Sequence, residues 1–333
     1  MPNPFASPIC RSAFATSMVG AAFAAILTLL AAPVATPVAA QNRGPGAFTI
    51  AETGQSFARL QSALDAIGDG RGTIRIAPGT YRQCAVQRGG VVIYAAREIG
   101  TVTFEGTACE GKAALVLRGM GAEVRGLNFA GIFVPDGNGA GIRLEEGALN
   151  VAYSRFANSQ QGILAGNAPE SHVYIMRSTF SGLGTCENAA GCAHSIYVGN
   201  YGRLTVRDSR FERGTGGHYV KSRAAQVVIE DNSFDDAAGQ GTNYMIDLPA
   251  GSQGLIAGNW FVQGRDKENY SAFIALGAED VLHPSDGLTV MDNEARFVPG
   301  ISRSSAFLAD WTGSHIALRG NRLADGLAGY QRR

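Results

Sequence analysis

Two hexapeptides, IEDNSF at residues 229–234 and IAGNWF at residues 256–261, decide the fold of this chain. Both follow one pattern: an apolar residue, any residue, a polar residue or Gly, then Asn or Ser, any residue and Phe. Related segments occupy 151–156, 175–180 and 206–211, weaker copies end at Phe129 and Leu323, and 290–293 keeps the first half. Units that recur at intervals of roughly 20 to 50 residues are typical of stacked repeats.

The repeat has a direct physical meaning. Each unit places Val or Ile and then Phe in an interior, while Asn232, Asn259, Asn293 and Asn321 recur at one turn position. Asn tolerates a left-handed backbone, and we expect each of these side chains to bond the Asn of the coil above or below. Each coil of such a stack pairs its backbone with its neighbours, so that closure is needed only at the two ends.

The composition agrees with many short strands. The chain has 333 residues, of which 45% are hydrophobic, 17% are charged and 44 are Gly. A high Gly content without a collagen period indicates many tight turns. The formal net charge is +0 and no zinc-finger or helix-turn-helix pattern is present, so we expect no nucleic-acid partner.

One helix is predicted near the start of the repeats. The segment from Ser56 to Ile67 carries apolar residues at helical spacing, with Ser56 as the expected N-cap. Residues 68–72 end it, and short strands follow from Thr73 onward. At this place in the chain the helix would cover the first exposed coil of a solenoid.

The APGTY segment at 77–81, together with the repeated GN-x-F and DN-x-F units, resembles the right-handed parallel β-helix of the pectin-lyase-like superfamily. The resemblance extends from about Gly72 to Gly326. It implies an all-β fold, a right-handed parallel β-helix with an N-terminal capping helix. That fold hosts lyases, hydrolases, epimerases and adhesive proteins, so the function has to be argued from the site.

The N-terminal residues predict export. Arg11 is the only charge before an apolar run from Ala13 to Ala32, and small residues at 38–40 precede Gln41 as at a signal-peptidase site. An uncleaved membrane anchor is the alternative, because the apolar run is about long enough to span a bilayer. Pro33 and Pro37 favour cleavage. We therefore expect a signal peptide at 1–40, a single β-helix domain at 41–333, a secreted or periplasmic location and no stable membrane insertion.

Four cysteines remain after Cys10 is removed with the signal. Cys84 and Cys109 lie about one repeat apart, and Cys186 and Cys192 flank a short Gly-containing loop. An even number in an oxidising compartment predicts two disulfides. Zinc is the alternative, but Cys-x-x-Cys spacing is absent from the sequence.

The candidate site centres on GHYVKSR at residues 217–223, with HSIYVG at 194–199 one repeat upstream and YMIDLP at 244–249 one repeat downstream. Aligning the strands that contain these segments gives one apolar inward column: Ile142, Ile163, Ile196, Val220, Ile246, Ile274 and Leu308. Because alternate residues of a strand face opposite sides, the next residues form an outward column. That column reads Arg143, Leu164, Tyr197, Lys221, Asp247, Ala275 and Ala309.

Three consecutive coils therefore present Tyr197, Lys221 and Asp247, with Arg223 beside Lys221. The turn residues that precede these strands are His194, His218 and Tyr244. A structural alternative exists, since Lys221 and Asp247 can form a simple cross-strand ion pair and the histidines an ordinary turn stack. The concentration of these residues in three coils favours a functional site.

The charges nearby predict an acidic polysaccharide as partner. Arg203 begins a basic sector that ends at Arg223, and Tyr219 and Tyr244 are candidates to stack on sugars. We accordingly expect Arg203, Tyr219 and Tyr244 to bind substrate.

For β-elimination from a uronate polymer, Arg223 suits the substrate carboxylate because its guanidinium stays charged. Lys221, with its pKa lowered by Arg223, is the expected base. Tyr197, His194 or His218 is then the acid. A glycoside hydrolase is an alternative in which Asp247 is one carboxylate of a pair, and a non-catalytic glycan-binding or envelope-surface protein is another. No cofactor is predicted; calcium assists many lyases of this fold, but no acidic cluster for it is visible in the column.

Overall fold

A computed structural model describes residues 46–187 and 191–333. The predicted export signal at 1–40 lies outside the described residues. No helix within the described ranges is long and apolar enough to cross a membrane.

The described chain forms one helix, α1 (Leu60–Ile67), and a long series of short strands. The strands are β1 (Phe48–Ile50), β2 (Ser56–Phe57), β3 (Arg71–Ile76), β4 (Gly79–Tyr81), β5 (Ala85–Gln87), β6 (Val91–Ala96), β7 (Val102–Glu105), β8 (Ala113–Leu117), β9 (Gly121–Arg125), β10 (Leu127–Ala130), β11 (Ala140–Leu144), β12 (Ala148–Ala152), β13 (Arg155–Ser159), β14 (Gln161–Ala165), β15 (Ala168–Met176), β16 (Thr179–Leu183), β17 (Ile196–Val198), β18 (Tyr201–Arg207), β19 (Arg210–Glu212), β20 (Val220–Ser222), β21 (Gln226–Glu230), β22 (Ser233–Asp235), β23 (Ile246–Leu248), β24 (Gln253–Ala257), β25 (Trp260–Gln263), β26 (Ala272–Leu276), β27 (Thr289–Met291), β28 (Glu294–Phe297), β29 (Ser305–Asp310), β30 (Ala317–Arg319), β31 (Arg322–Leu323) and β32 (Leu327–Arg332).

From β3 onward each coil contributes one strand to each of three sheets, and every third strand stacks on its predecessor. The first sheet runs from β2 through β1 and β3 to β30, the second from β4 to β31 and the third from β5 to β32. Pairing between coils is parallel, whereas β1 pairs antiparallel with both β2 and β3. The predicted all-β parallel β-helix is confirmed.

The N-terminal helix is shorter than predicted. Ser56 and Phe57 form β2 beside β1, and the N-cap of α1 is Arg59, which makes no side-chain cap bond. Ser56 is therefore not the cap, because its hydroxyl bonds Thr49 Oγ1 at 2.9 Å across the antiparallel pair. The apolar face of α1 nevertheless buries Leu60 and Leu64 in the core as the spacing predicts.

On the second sheet, the side chains that face the interior include a stack of phenylalanines. Neighbouring phenyl rings lie 4.8 to 5.8 Å apart, centroid to centroid, with interplanar angles of 4 to 19°. The stack comprises Phe104, Phe129, Phe156, Phe180, Phe211, Phe234 and Phe261. Offset stacking of this kind adds to the burial of apolar area.

A buried hydrogen-bond ladder runs along the turn after the first sheet. Its members, the Asn/Ser ladder, are Ser154, Ser178, Ser209, Asn232, Asn259, Asn293 and Asn321. The backbone N–H of each donates to the side-chain oxygen of the next, at 3.0 Å from Asn232 to Asn259 and from Asn259 to Asn293. Serine fills the same role in the earlier coils, for example Ser178 N–H to Ser209 Oγ at 3.1 Å.

The predicted stacking of Asn on Asn is thus confirmed, but the left-handed backbone is placed one residue earlier. Asp231 and Asp292 have φ of 55° and 54°, and Gly258 has 64°. The tight turn needs the positive φ at this preceding residue, which leaves the Asn to direct its amide along the stack.

Two disulfides join the four cysteines of the described chain, Cys84 to Cys109 and Cys186 to Cys192. The first links the segments that lead into β5 and β8, which are adjacent strands of the third sheet. Both bridges fit an oxidising compartment, as predicted.

We expect Asn259→Ala to lower the free energy of unfolding by about 2 to 4 kcal/mol, because the buried Asn232 N–H and the Ile229 carbonyl both lose their side-chain partner. Chemical denaturation of the purified protein measures this. Asn150→Ala, at a half-buried position on the outer side of the first sheet, is the matched control and should change stability by no more than about 0.5 kcal/mol. Equal losses for both variants would contradict a special role for the ladder.

Candidate functional site

The outer face of the third sheet has the register that the sequence predicts. Ile196 pairs with Val220 and Val220 with Ile246 in the inward column, and all three are fully buried. In the next column Tyr197 pairs with Lys221 and Lys221 with Asp247. Adjacent parallel strands lie about 4.8 Å apart, so these three side chains are immediate neighbours.

A cavity of about 530 Å³ opens on this face. Its lining includes most of the predicted catalytic side chains, together with groups from turns and loops. The principal lining residues are Asn138, Gln161, Leu164, His194, Tyr197, His218, Lys221, Arg223, Asn243, Glu268 and Glu279. Such a concave site with convergent polar groups is the usual form of a ligand-binding site.

Lys221 and Arg223 form a cation pair on the cavity wall, and both contact one carboxylate. Glu279 Oε1 accepts from Lys221 Nζ at 2.6 Å, and Glu279 Oε2 accepts from Arg223 Nη2. Arg223 Nε also donates to the phenol oxygen of Tyr197 at 3.3 Å. The cations, the phenol and the glutamate are therefore one connected group.

The pKa of Lys221 is raised, contrary to the predicted lowering. Burial lowers the pKa of Lys221, but the negative charges of Asp247 and Glu279 and their hydrogen bonds outweigh burial. The Lys221 ammonium lies 3.1 Å from Asp247 Oδ2. Lys221 is thus a protonated cation that suits binding a carboxylate, and it is not a ready base.

Asp247 shares the outward column but is covered by its neighbours, with 3% of its surface exposed. Burial raises its pKa to about 6, although the charge of Lys221 opposes the shift. Its Oδ2 also lies 3.3 Å from His218 Nε2. Asp247 supports Lys221 and His218 from behind and is not among the residues that line the cavity.

The two histidines and Tyr244 form a stack, with ring centroids 5.0 Å apart for His194 and His218 and 5.6 Å apart for His218 and Tyr244. The backbone N–H of His218 donates to His194 Nδ1 at 3.0 Å, so the proton of a neutral His194 is on Nε2. Burial lowers the pKa of His194 to about 3 and that of His218 well below its ordinary value. Both imidazoles are neutral at neutral pH, and His194 offers an N–H donor.

A fully buried ion pair lies beside the cavity. Lys267 Nζ lies 3.1 Å from Asp236 Oδ2, and the side chains of both have no exposed surface. Tyr219 donates its phenol proton to Asp236 Oδ1 at 2.8 Å. Asn243 and Glu268, joined at 2.6 Å, lie next to this pair and line the cavity.

Two residues predicted to bind substrate are placed elsewhere. Tyr219 is 1% exposed and packs edge-on against Phe211 and Phe234, so it belongs to the core. Arg203 lies in β18 of the first sheet, where it donates to Gln226 Oε1, and it does not line the cavity. The chain order that places Arg203 near Arg223 does not place them on the same sheet. Tyr244 stacks on His218 but is not among the residues that line the cavity.

The loop residues of the cavity were not predicted from the sequence. Glu279 follows β26 in a connection of twelve residues, 277–288, and Glu268 and Asn243 lie in turns before strands of the third sheet. Strand register assigns sides only to strand residues, so it gives no position to such side chains. A glutamate within a long connection beside a cationic strand was the available signal.

Throughout the described ranges, one group of three side chains has ligand atoms close enough to hold a metal ion: Cys186, Cys192 and Glu268. The two cysteines are bonded to each other, and calcium prefers a set of oxygen ligands. This group therefore does not fit calcium.

Several solved structures are similar in overall form at low sequence identity. A pectin methylesterase from Aspergillus niger is 12% identical, with 79% of this chain and 89% of that chain covered and a TM-score of 0.45. The PL6 family alginate lyase AlyGC is 13% identical, with 77% of this chain and 40% of that chain covered and a TM-score of 0.44. The Streptococcus pneumoniae surface protein and adhesin PfbA is 11% identical, with 82% of this chain and 94% of that chain covered and a TM-score of 0.49. No curated protein matches the sequence.

A family model described as "right handed beta helix region" matches residues 112–282. The match covers more than half of the chain and includes the strands that carry Tyr197, Lys221 and Asp247. It agrees with the parallel three-sheet topology and with the resemblance to the pectin-lyase-like superfamily. The chain belongs to the right-handed β-helix family.

Proposed function

We propose that the cavity binds an acidic, uronate-containing glycan and cleaves it by β-elimination. The observation that carries the proposal is that Lys221 and Arg223 together hold one carboxylate, that of Glu279. The same two cations suit the carboxylate of a uronate, because charge-assisted hydrogen bonds from Arg and Lys are among the strongest that a protein offers to that group.

The remaining steps need a base and an acid near that carboxylate. The base removes the proton on C5, the carbon that carries the carboxylate. The electrons of that C–H bond form the C4=C5 double bond, and the bond from C4 to the leaving oxygen breaks as that oxygen gains a proton. Lys221 is protonated and neutralises the carboxylate with Arg223. Tyr197, whose phenol oxygen accepts from Arg223 Nε, is the cavity-lining group that we assign as both base and acid: its ionised oxygen takes the C5 proton, and the phenol so formed gives that proton to the leaving oxygen. His194 donates from Nε2 to stabilise developing charge on oxygen.

Hydrolysis is the second enzyme class that fits the fold, and it needs two carboxylates on either side of the scissile bond. Glu279 and Asp247 both contact Lys221 and differ in pKa: burial raises that of Asp247 to about 6, whereas that of Glu279 is lowered because its bonds to Lys221 and Arg223 outweigh burial. Asp247, however, is 3% exposed behind Lys221. The geometry therefore favours elimination, with Asp247 as a positioning residue.

We expect purified protein to release unsaturated product, detected by ultraviolet absorbance, from one or more members of a panel of uronate polymers, with and without chelator. Lys221→Ala and Arg223→Ala should each lower the rate by at least about 100-fold, since each removes a charge that neutralises the carboxylate. Arg155→Ala, at an exposed position on the second sheet, is the matched control and should retain the wild-type rate.

The other outcomes identify the alternatives. Chain shortening without absorbance indicates a hydrolase. Binding that Lys221→Ala weakens, with neither shortening nor absorbance from the wild type, indicates a glycan-binding protein. No product and no shortening on any acidic glycan would refute the lyase.

A second prediction concerns the positioning role of Asp247. Burial raises its pKa to about 6 in the folded protein, above the value of about 4 for an unfolded aspartate. Its contribution to stability is therefore fully present below about pH 4 and is lost as the pH rises through 6. Between pH 4 and 7.5 the wild type should lose on the order of 2 kcal/mol of unfolding free energy relative to Asp247→Asn.

Urea denaturation at a series of pH values measures this difference. Asp325→Asn, in an exposed turn, is the control and should follow the wild-type curve at every pH. Parallel curves for the wild type and Asp247→Asn would show that the raised pKa is wrong.

A further inference from the structure

The cation pair of the cavity is already occupied in the free protein. Glu279 places one carboxylate oxygen 2.6 Å from Lys221 Nζ and the other on Arg223 Nη2. A single carboxylate therefore spans both cations, as the carboxylate of a bound sugar acid would have to do.

We infer that Glu279 determines the specificity of the cavity: its side chain occupies the position of the ligand carboxylate, and a ligand reaches both cations only by supplying a carboxylate in exchange. The inference rests on the proposed function for the class of ligand. It adds a role for a residue outside the strands that carry the predicted site.

The backbone around Glu279 is firmly held, so the exchange requires movement of the side chain alone. The N–H of Glu279 donates to the Pro249 carbonyl at 3.1 Å, and that of Gly277 donates to Leu248 at 2.9 Å. Further along, the N–H groups of Leu282 and His283 both donate to Ala250. The Glu279 side chain is 41% exposed and can rotate into solvent from this fixed backbone.

Exchange also explains why an acidic ligand is selected. The side chains of Lys221 and Arg223 are 13% and 24% exposed, so both cations are largely removed from water. Leaving such cations without an anion is strongly unfavourable. A uronate replaces one carboxylate by another and returns Glu279 to water, whereas a neutral sugar that displaces Glu279 leaves Arg223 without an anion and Lys221 with Asp247 alone.

The chain contains a matched control for this arrangement. Glu145 also bridges a lysine and an arginine, with Oε1 2.6 Å from Lys112 Nζ and Oε2 on Arg118 Nε. This group lies at the ends of β8 and β11 on the third sheet, and none of its three members lines the cavity. Glu145→Gln therefore removes the same charge from the same kind of bridge without changing the site.

The test is calorimetric titration of the wild type, Glu279→Gln and Glu145→Gln with hexamers of galacturonate and of mannuronate, and with the same hexamers after reduction of their carboxylates. Glu279→Gln should bind at least one uronate hexamer about tenfold more tightly than the wild type at low ionic strength, because its cavity carries one negative charge fewer. The gain should shrink at high salt. Glu145→Gln should bind the uronate hexamers with the affinity of the wild type. The affinity for the reduced hexamers should be the same in all three proteins.

Two further measurements connect the result to the cation pair. Adding Arg223→Ala to Glu279→Gln should abolish the gain, and thermal unfolding of each variant shows that it is folded. Unchanged, weaker or undetectable uronate binding by folded Glu279→Gln would overturn the inference, as would an equal gain in Glu145→Gln. Tighter binding without unsaturated product supports the inference and refutes the lyase, whereas product formation with unchanged affinity does the reverse.

Discussion

Parallel pairing between successive coils is the constraint on which the whole structure depends. Because each strand pairs with the equivalent strand of the next coil, a side chain at one position always has the same position above and below it. This rule makes the phenyl stack and the Asn/Ser ladder possible, since both need identical or similar groups at one spacing. It also excludes slippage, because a shift by one residue would turn the stacked Phe side chains outward.

The same pairing rule brings the polar side chains of successive coils together. On the third sheet the column is aliphatic or Ala at Leu164, Ala275 and Ala309, and polar at three successive coils between them. Three polar side chains at strand spacing are close enough to share protons and charges, so Asp247 orders Lys221 and His218 without reaching the cavity itself. The scaffold is regular, and the site lies where three successive coils carry polar side chains in the outward column.

The fold was predictable because its signals repeat. The Asn/Ser ladder and the Phe stack recur in many coils, and strand alternation then places Tyr197, Lys221 and Asp247 in one column. Three other features were not predictable from the pattern. Glu279 lies in a loop that register does not describe, Tyr219 enters the core from a turn where alternation fails, and Arg203 is near Arg223 in sequence but on another sheet. The predicted lowering of the pKa of Lys221 considered only Arg223, whereas Asp247 and Glu279 together raise that pKa against the effect of burial.

The two bridging glutamates, Glu145 and Glu279, show what the position of an ion pair adds to its geometry. Glu145 and Glu279 each join a lysine to an arginine on the third sheet. The charges are alike, and neither pair would attract notice as a surface ion pair, because such pairs contribute little to stability. Glu279 differs because its cations line a cavity with a phenol, a neutral imidazole N–H and amide groups around them. In a cavity that admits a ligand, the carboxylate of the ligand can replace the glutamate of the ion pair. At a surface without a cavity, no ligand is held in position to do so. The functional content of the Lys221 and Arg223 pair therefore lies in what surrounds it, which only the folded chain brings together.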